Sequence, residues 1–416
     1  MRCGRFSMNG CERPLPWNDE TVFDVEFVDY EIRDNYCQLQ IQVGRFVDQY
    51  DSITIDWGDG TIDHQTTYLA WHNYTAVGRY TIRIGRECRW FRVWDCYAVT
   101  KEGRPLVARP QMWLHQWSDW LESAEGSFCG WSDPSHGGLK GTLPPWGRSI
   151  TTTYCCFEYC TDIEGRFPEW TDAITDACGT YQHVKIADRI PRWGKNIERV
   201  GFCYYQCPNV TGPFPPWPRN CEEFNSCYNG CTGLHGEIPP WPECGEELDS
   251  VYKGCTGAVG IIPKWGKNIV RAGFCYNDCQ TVTGRFPPWP RNCVEFNSCY
   301  NGCTGLHGEI PPWPECGEEL DSVYKGCTGA VGIIPKWPEN VKMVSGCYWD
   351  CPNLTGAWTD DPALLMPEEK VRYSPDSEYY RCYDVVTGCS DAVRSLFWDQ
   401  PWGGTIPRPT PAPRGP

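Results

Sequence analysis

The residues with the most chemical potential in this chain are its cysteines, 28 among 416 residues. They recur as Cys-x-x-x-Cys at 156/160, 203/207, 227/231, 275/279, 299/303 and 347/351. A zinc site would need two such pairs, or a pair with matched histidines, converging on one point. Pairs that recur at fixed phase make a row instead. In two further copies the first cysteine is replaced by Val251 or Val323, so the slot accepts a small hydrophobe, which is how buried free cysteine behaves. The expectation is a ladder of buried thiols, with partial disulfide formation and metal binding as alternatives. His136 and His183 stand at the second slot of early copies and read as core or edge residues. Cys221 with Cys244, and Cys293 with Cys316, follow the tryptophans of adjacent copies. Stacked copies approach to about 5 Å where strands pair, within disulfide reach, which makes these four candidate disulfide partners. Cys3–Cys11 and Cys88–Cys96 are weaker candidates.

Other chemistry is scarce. No G-x-S-x-G, H-E-x-x-H or P-loop occurs, and no nucleophile–base set stands out. Glu246-Glu247 and Glu318-Glu319 read as solvated faces. A row of tryptophans after proline could stack sugars, but a rung repeated in every copy serves packing first. No enzymatic activity and no cofactor is expected.

The elements that position these residues follow from the repeat. The cysteine before each Thr-Gly or its equivalent falls at 207, 231, 255, 279, 303, 327 and 351, in steps of 24. The tryptophans at 146, 170, 193, 217, 241, 265, 289, 313 and 337 keep that beat, with one step of 23. A fixed period of this size is the signature of a solenoid. About nine coils run from Ser123 to Trp337, a degenerate one surrounds Cys351, and a last one follows an insertion, at Cys389 and Trp402. Residues 214–265 and 286–337 are identical except for Glu222 against Val294, the mark of a duplicated three-coil block. Within a coil, Phe224, Cys227, Tyr228 and Cys231 are spaced as one face of a helical turn or two. Leu234, Gly236 and Ile238 alternate with His235 and Glu237 as a short strand that Pro239 should end. The outward strand slots hold Thr211, His235, Glu237, Val259, Ile261, Thr283, Arg285, His307, Glu309, Val331 and Ile333. Inward slots repeat and these differ, as on a recognition surface carried by a rigid scaffold. Thr211, His235, Glu237, Thr283, Arg285, His307 and Glu309 are the candidate binding residues; plain solvated sheet is the alternative.

The pattern CxxLTGxIPxW, preceded by an apolar-Tyr-x-x-Cys arc, resembles BspA-type leucine-rich repeats of bacterial surface proteins, and its LxGxIP part is similar to plant extracellular leucine-rich repeats. The resemblance covers about 123–407 and implies a right-handed solenoid with parallel strands on one face, used in adhesion or recognition. Upstream, Ile53, Ile55 and Trp57, then Tyr80, Ile82 and Ile84, alternate as half-buried strands, as do Phe23, Val25, Phe27 and Cys37, Leu39, Ile41, Val43. Trp57–Thr61, His72, Tyr74, Gly78, Tyr80 and Thr81 form a WGDGT…HxY…GxYT pattern that closely resembles PKD domains, which implies an immunoglobulin-like spacer or binding module. Asp56, Asp59 and Asp63 could contribute Ca²⁺ ligands there, although turn capping explains them without a metal.

Composition bounds the rest. Apolar residues are 41% and charged residues 22%, as in globular chains, while 36 prolines and 42 glycines disfavour long helices. A net charge of -16 speaks against nucleic acid, which needs clustered cations. No apolar run is long enough to cross a membrane as a helix. The start lacks the apolar core of a signal peptide, so either a leader has been removed or export takes another route, for example within a virion. The fold class expected is β-rich, α+β: an N-terminal segment 1–19, a PKD-like sandwich 20–108, a leucine-rich-repeat solenoid 109–358, an insertion with a capping repeat 359–407 and a proline-rich tail 408–416. The function expected is non-enzymatic adhesion or recognition at an extracellular or cell surface, through protein or glycan on another surface, with self-association also open. The alternatives are a phage tail-fibre-type receptor-binding protein and, further off, an accessory module of a polysaccharide-degrading enzyme.

Overall fold

The computed structural model describes residues 18–27, 36–44, 52–99, 111–129, 139–360, 365, 386 and 388–398. Cys3, Cys11, the Cys96 side chain, His136, Trp402 and the tail 408–416 lie outside the described residues. The chain divides into two compact units, Met1–Val259 and Gly260–Pro416.

The first unit opens with eight strands. β1 (Thr21–Phe27), β3 (Ile53–Asp56), β4 (Ile62–Gln65), β6 (Gly78–Ile84) and β8 (Gln111–Gln116) form one antiparallel sheet in the order β4-β3-β6-β1-β8. β2 (Tyr36–Gly44), β5 (Leu69–Tyr74) and β7 (Trp90–Val99) form a second, in the order β5-β2-β7. The period-two pattern has its physical effect here: Phe23, Val25, Leu39, Ile41, Ile55 and Ile82 are completely buried between the sheets. Trp57 is the pivot. Its indole stacks on His72 and donates to Asp63 at 2.8 Å, and the Tyr74 hydroxyl donates to its carbonyl. The three aspartates are each spent on this corner and do not converge. Asp56 accepts from the Gly58 N–H, Asp59 from Thr61 N–H and His72, and Asp63 from Trp57 and Gln65. These bonds are the turn capping expected of the three aspartates, and among the described residues no group of three His, Cys, Asp or Glu comes together that could hold a metal ion. The sandwich also runs past residue 108, because β8 pairs with β1.

Coils follow without a break in the core. Trp90 bridges Ser123 and Met112 bridges Leu139, both in parallel. Phe128 of the first coil packs its ring on Phe23, Phe91 and Trp117. The sandwich therefore covers the first rung of the stack, where an open solenoid end would expose apolar surface and unpaired backbone. Parallel pairing continues through β9 (Lys140–Thr142) with β10 (Asp162–Glu164) and β11 (His235–Glu237) with β13 (Gly257–Ile261), while β12 (Glu247–Asp249) lies on the other side of its coil.

In the second unit each coil contributes to two parallel sheets. The end of β13, β15 (Val282–Arg285), β17 (Leu306–Glu309), β19 (Gly329–Ile334) and β21 (Leu354–Ala357) pair in sequence. So do β14 (Arg271–Gly273), β16 (Glu295–Asn297), β18 (Glu319–Asp321) and β20 (Met343–Ser345). Helix α1 (Asp391–Trp398) packs against β21. Just before it, the Cys389 thiol donates to the Tyr348 carbonyl and the Ser390 hydroxyl to that of Leu354.

The arcs are not helical, contrary to their spacing. Phe224, Cys227, Tyr228 and Cys231 do all face the core. Alternate amides, however, bond in different directions. The N–H groups of Cys227, Asn229 and Cys231 reach back three residues, to Phe224, Ser226 and Tyr228. Those of Ser226, Tyr228 and Gly230 cross to Asp249, Val251 and Lys253 of the next coil. A helix would use every amide internally; the stack diverts half of them, so the arc takes a helix-like spacing without a helix.

Candidate recognition face

Two ladders hold each coil rigid beneath its surface. Tyr181, Tyr204, Tyr228 and Tyr252 stack at 5.5–6.3 Å in the first unit, and Tyr276, Tyr300, Tyr324 and Tyr348 at 5.6–6.1 Å in the second, all fully buried. The tryptophans run alongside, from Trp117 through Trp146 and Trp170 to Trp193, and from Trp265 through Trp289 and Trp313 to Trp337. With Trp146, Trp170, Trp217, Trp241, Trp265, Trp289, Trp313 and Trp337 only 5–8% exposed, the row is packing and offers no open platform to a sugar. Trp217, Trp265, Trp289 and Trp313 donate their indole N–H to Tyr252, Tyr300, Tyr324 and Tyr348. The equivalent N-terminal pairs, Trp146–Tyr181, Trp170–Tyr204 and Trp193–Tyr228, leave both polar atoms without a bond of standard geometry.

The cysteine ladder has a role that spacing alone did not reveal. Cys207, Cys231 and Cys255 donate their S–H to the carbonyls of Tyr181, Tyr204 and Tyr228 at 2.9–3.0 Å. Cys303, Cys327 and Cys351 do the same to Tyr276, Tyr300 and Tyr324. The carbonyls of Tyr181, Tyr228, Tyr276, Tyr300 and Tyr324 already accept an N–H three residues on, as Tyr228 does from Cys231, so there the thiol fills the second lone pair. The legible signal was the constant Tyr-x-x-Cys. Where the coil is one residue short, Val184 occupies this slot, buried with its N–H on Tyr181. His183 is thus displaced from the slot expected for it.

The proposed disulfides are thiols in this structure. Cys244 donates to the Cys221 carbonyl at 2.7 Å, and Cys316 to the Cys293 carbonyl at 3.2 Å. Cys221 and Cys293 instead turn inward, fully buried, toward the carbonyls of Glu223 and Glu295. Among the cysteines whose burial is described, only Cys129, Cys155, Cys244 and Cys316 are less than buried. Brief alkylation of the native, reduced protein should therefore label these four, as read by peptide mass spectrometry. Burial, and next the Glu158 carboxylate, hold the Cys155 thiol above its usual range, so it should react slowest. Equal labelling of Cys231 or Cys303 would contradict the burial described.

Above these ladders, the strand slots behave as their alternation requires. Leu234, Ile238, Leu306 and Ile310 are buried, whereas Thr211, His235, Glu237, Thr283, Arg285, His307 and Glu309 are exposed. The glycine between them has a left-handed backbone, φ 105° at Gly308, which only glycine adopts without strain. The second unit brings Arg285 opposite His307, Glu309 opposite Val331, and Ile261 opposite Thr283. Ile261 and Ile333 are 72% and 54% exposed and stand on strands either side of these charges. In the first unit, Thr211, His235, Glu237 and Val259 present the same kind of surface. The face offers hydrogen bonds, charge and aliphatic contact; it contains no nucleophile beside a base.

The chain matches no family model, no curated protein and no solved structure. Among the described residues no helix is long and apolar enough to cross a membrane.

Proposed function

We propose that this is a non-enzymatic recognition or adhesion protein whose strand face binds a protein or glycan on another surface. The observation that carries the reading is a contrast within each coil. The ladder positions repeat the same Tyr, Cys and Trp and the inward strand slot stays small and aliphatic, as Val282, Leu306 and Ala330, while the exposed slots change in character from Thr283 and Arg285 to His307 and Glu309 to Val331 and Ile333. A scaffold that holds its core constant and varies its surface is organised for binding. The leucine-rich-repeat and PKD resemblances support the same reading and, with it, an extracellular setting. The near-identity of 214–265 and 286–337 favours as second reading a virion receptor-binding fibre, which would use the same face.

The test is an array of cell-surface proteins and glycans probed with the full chain and with a Glu237→Lys/Arg285→Glu/Glu309→Lys variant. These side chains are exposed, so stability should change by no more than about 0.5 kcal/mol each, whereas binding should fall at least tenfold. Undiminished binding by the variant would move the site off the strand face.

A further inference from the structure

Each arc carries two residues with left-handed backbone, four positions apart. At the second of these, Gly230, Gly254, Gly302 and Gly326 have φ of 72–80°. Tyr159 and His183 occupy the same position in earlier coils, at φ 60° and 61°. At the first, Ser226, Ser250, Ser298 and Ser322 are matched by Phe202 at φ 58°. A side chain in this region costs roughly 1–2 kcal/mol, and for bulky residues it is a genuine outlier. Four later coils are built with serine at the first position and glycine at the second, although Phe274 with Asp278 keeps side chains at both in another. Strain kept against such an alternative concentrates at functional sites.

The rings of Tyr159, His183 and Phe202 form one cluster with that of Tyr205, whose backbone is ordinary. Tyr159 stacks on His183 at 4.3 Å and 11°, His183 meets Tyr205 edge-on at 5.3 Å, and Tyr205 meets Phe202 at 5.6 Å. Tyr159, His183 and Tyr205 are half-buried and Phe202 is 41% exposed, so the cluster lies at the surface, apart from the buried ladders. Burial lowers the His183 pKa, which keeps the ring uncharged at neutral pH. Gln206 continues the column of Tyr159 and His183, and Glu158 is close enough to His183 to act on it electrostatically. The exposed large apolar residues of the arcs in this unit, Tyr154 and Phe202, are aromatic, while those of the strand slots, Val259, Ile261, Val331 and Ile333, are aliphatic. Aromatic rings beside a carboxylate and an amide suit a ligand with apolar faces and a hydroxylated rim.

We propose that Phe202, Tyr205, His183 and Tyr159 form a carbohydrate-binding site on the arc side of the first unit. The rings meet the C–H faces of neutral sugar residues, and Glu158 and Gln206 meet their hydroxyls. The site is separate from the strand face and does not depend on that reading. The test is native electrophoresis of the full chain through gels containing a β-glucan, a galactomannan, a xyloglucan or a dextran. At least one should retard the protein. A Tyr159→Gly/His183→Gly variant and a Phe202→Ser variant should bind at least tenfold more weakly, with melting temperatures unchanged or raised, because each introduces the residue that other coils use. Four results overturn the proposal: no retardation in any gel; full retardation of both variants; a fall of more than about 4 °C in the double variant's melting temperature, about 1 kcal/mol or more, which would make the rings structural; or retardation abolished by Arg285→Glu/Glu309→Lys, which would put the sugar on the strand face.

Discussion

Above about pH 9 this protein is expected to lose its fold within a narrow pH interval. Burial pushes the Cys160 and Cys231 thiols up to about 12, and those of Cys207, Cys303 and Cys351 well above their usual range. In the unfolded chain a thiol ionises near 8.5. A raised folded pKa means stability that is complete below the unfolded value and lost as pH rises toward the folded one. Each such thiol removes about 1.4 kcal/mol per pH unit across that window. The three in the first unit together remove roughly 4 kcal/mol per pH unit and the two in the second roughly 3, against roughly 5–15 kcal/mol for the whole stability of an ordinary domain. The tyrosine ladder acts in the same direction, since burial raises Tyr204, Tyr228, Tyr300 and Tyr324 as well. Tryptophan fluorescence followed against pH, under reductant and without oxygen, should show a cooperative, reversible transition between about pH 9 and 10.5. A protein still folded at pH 11 would mean that the thiols are not held as donors.

Tyr300→Ala is expected to destabilise the second unit by about 3–5 kcal/mol. Tyr300 is fully buried, stacks between Tyr276 and Tyr324, and packs against Phe286 and Trp289. It also accepts the Trp265 indole N–H at 3.0 Å and, at its carbonyl, the Cys327 thiol. Tyr300→Phe separates these contributions. It keeps the ring and the carbonyl but strands the Trp265 N–H, at about 1–3 kcal/mol. Coils interact chiefly with their neighbours, so the loss should appear as a second, earlier urea transition rather than a shift of the whole curve. A cost below 1 kcal/mol for the alanine variant would show that the ladder is loosely packed.

Much of this was readable from the chain. The 24-residue beat of cysteine and tryptophan determined that the core is a stack, and the Leu-x-Gly-x-Ile alternation determined which residues face out. Both survive because a repeat has one packing solution, imposed by the same residues in every coil. The sandwich was legible from Ile55, Trp57 and Ile82 for the same reason, although its edge at β8 was not, because a strand's partner is a long-range choice.

Three matters were decided only by tertiary structure. The arcs give up helix because amides such as Tyr228 N–H find carbonyls in the next coil, an option the local spacing cannot display. Cysteine proves to be a hydrogen-bond donor to a tyrosine carbonyl of the preceding coil, where the sequence, with valine at 251 and 323 in the partner slot, describes only a small hydrophobe. The aromatic cluster joins Tyr205 to Tyr159, His183 and Phe202, which stand on left-handed backbone that no residue type there advertises. Periodicity records what is common to every coil. Hydrogen bonds and ring contacts between coils depend on which residues the stack brings side by side, and only the folded stack fixes that.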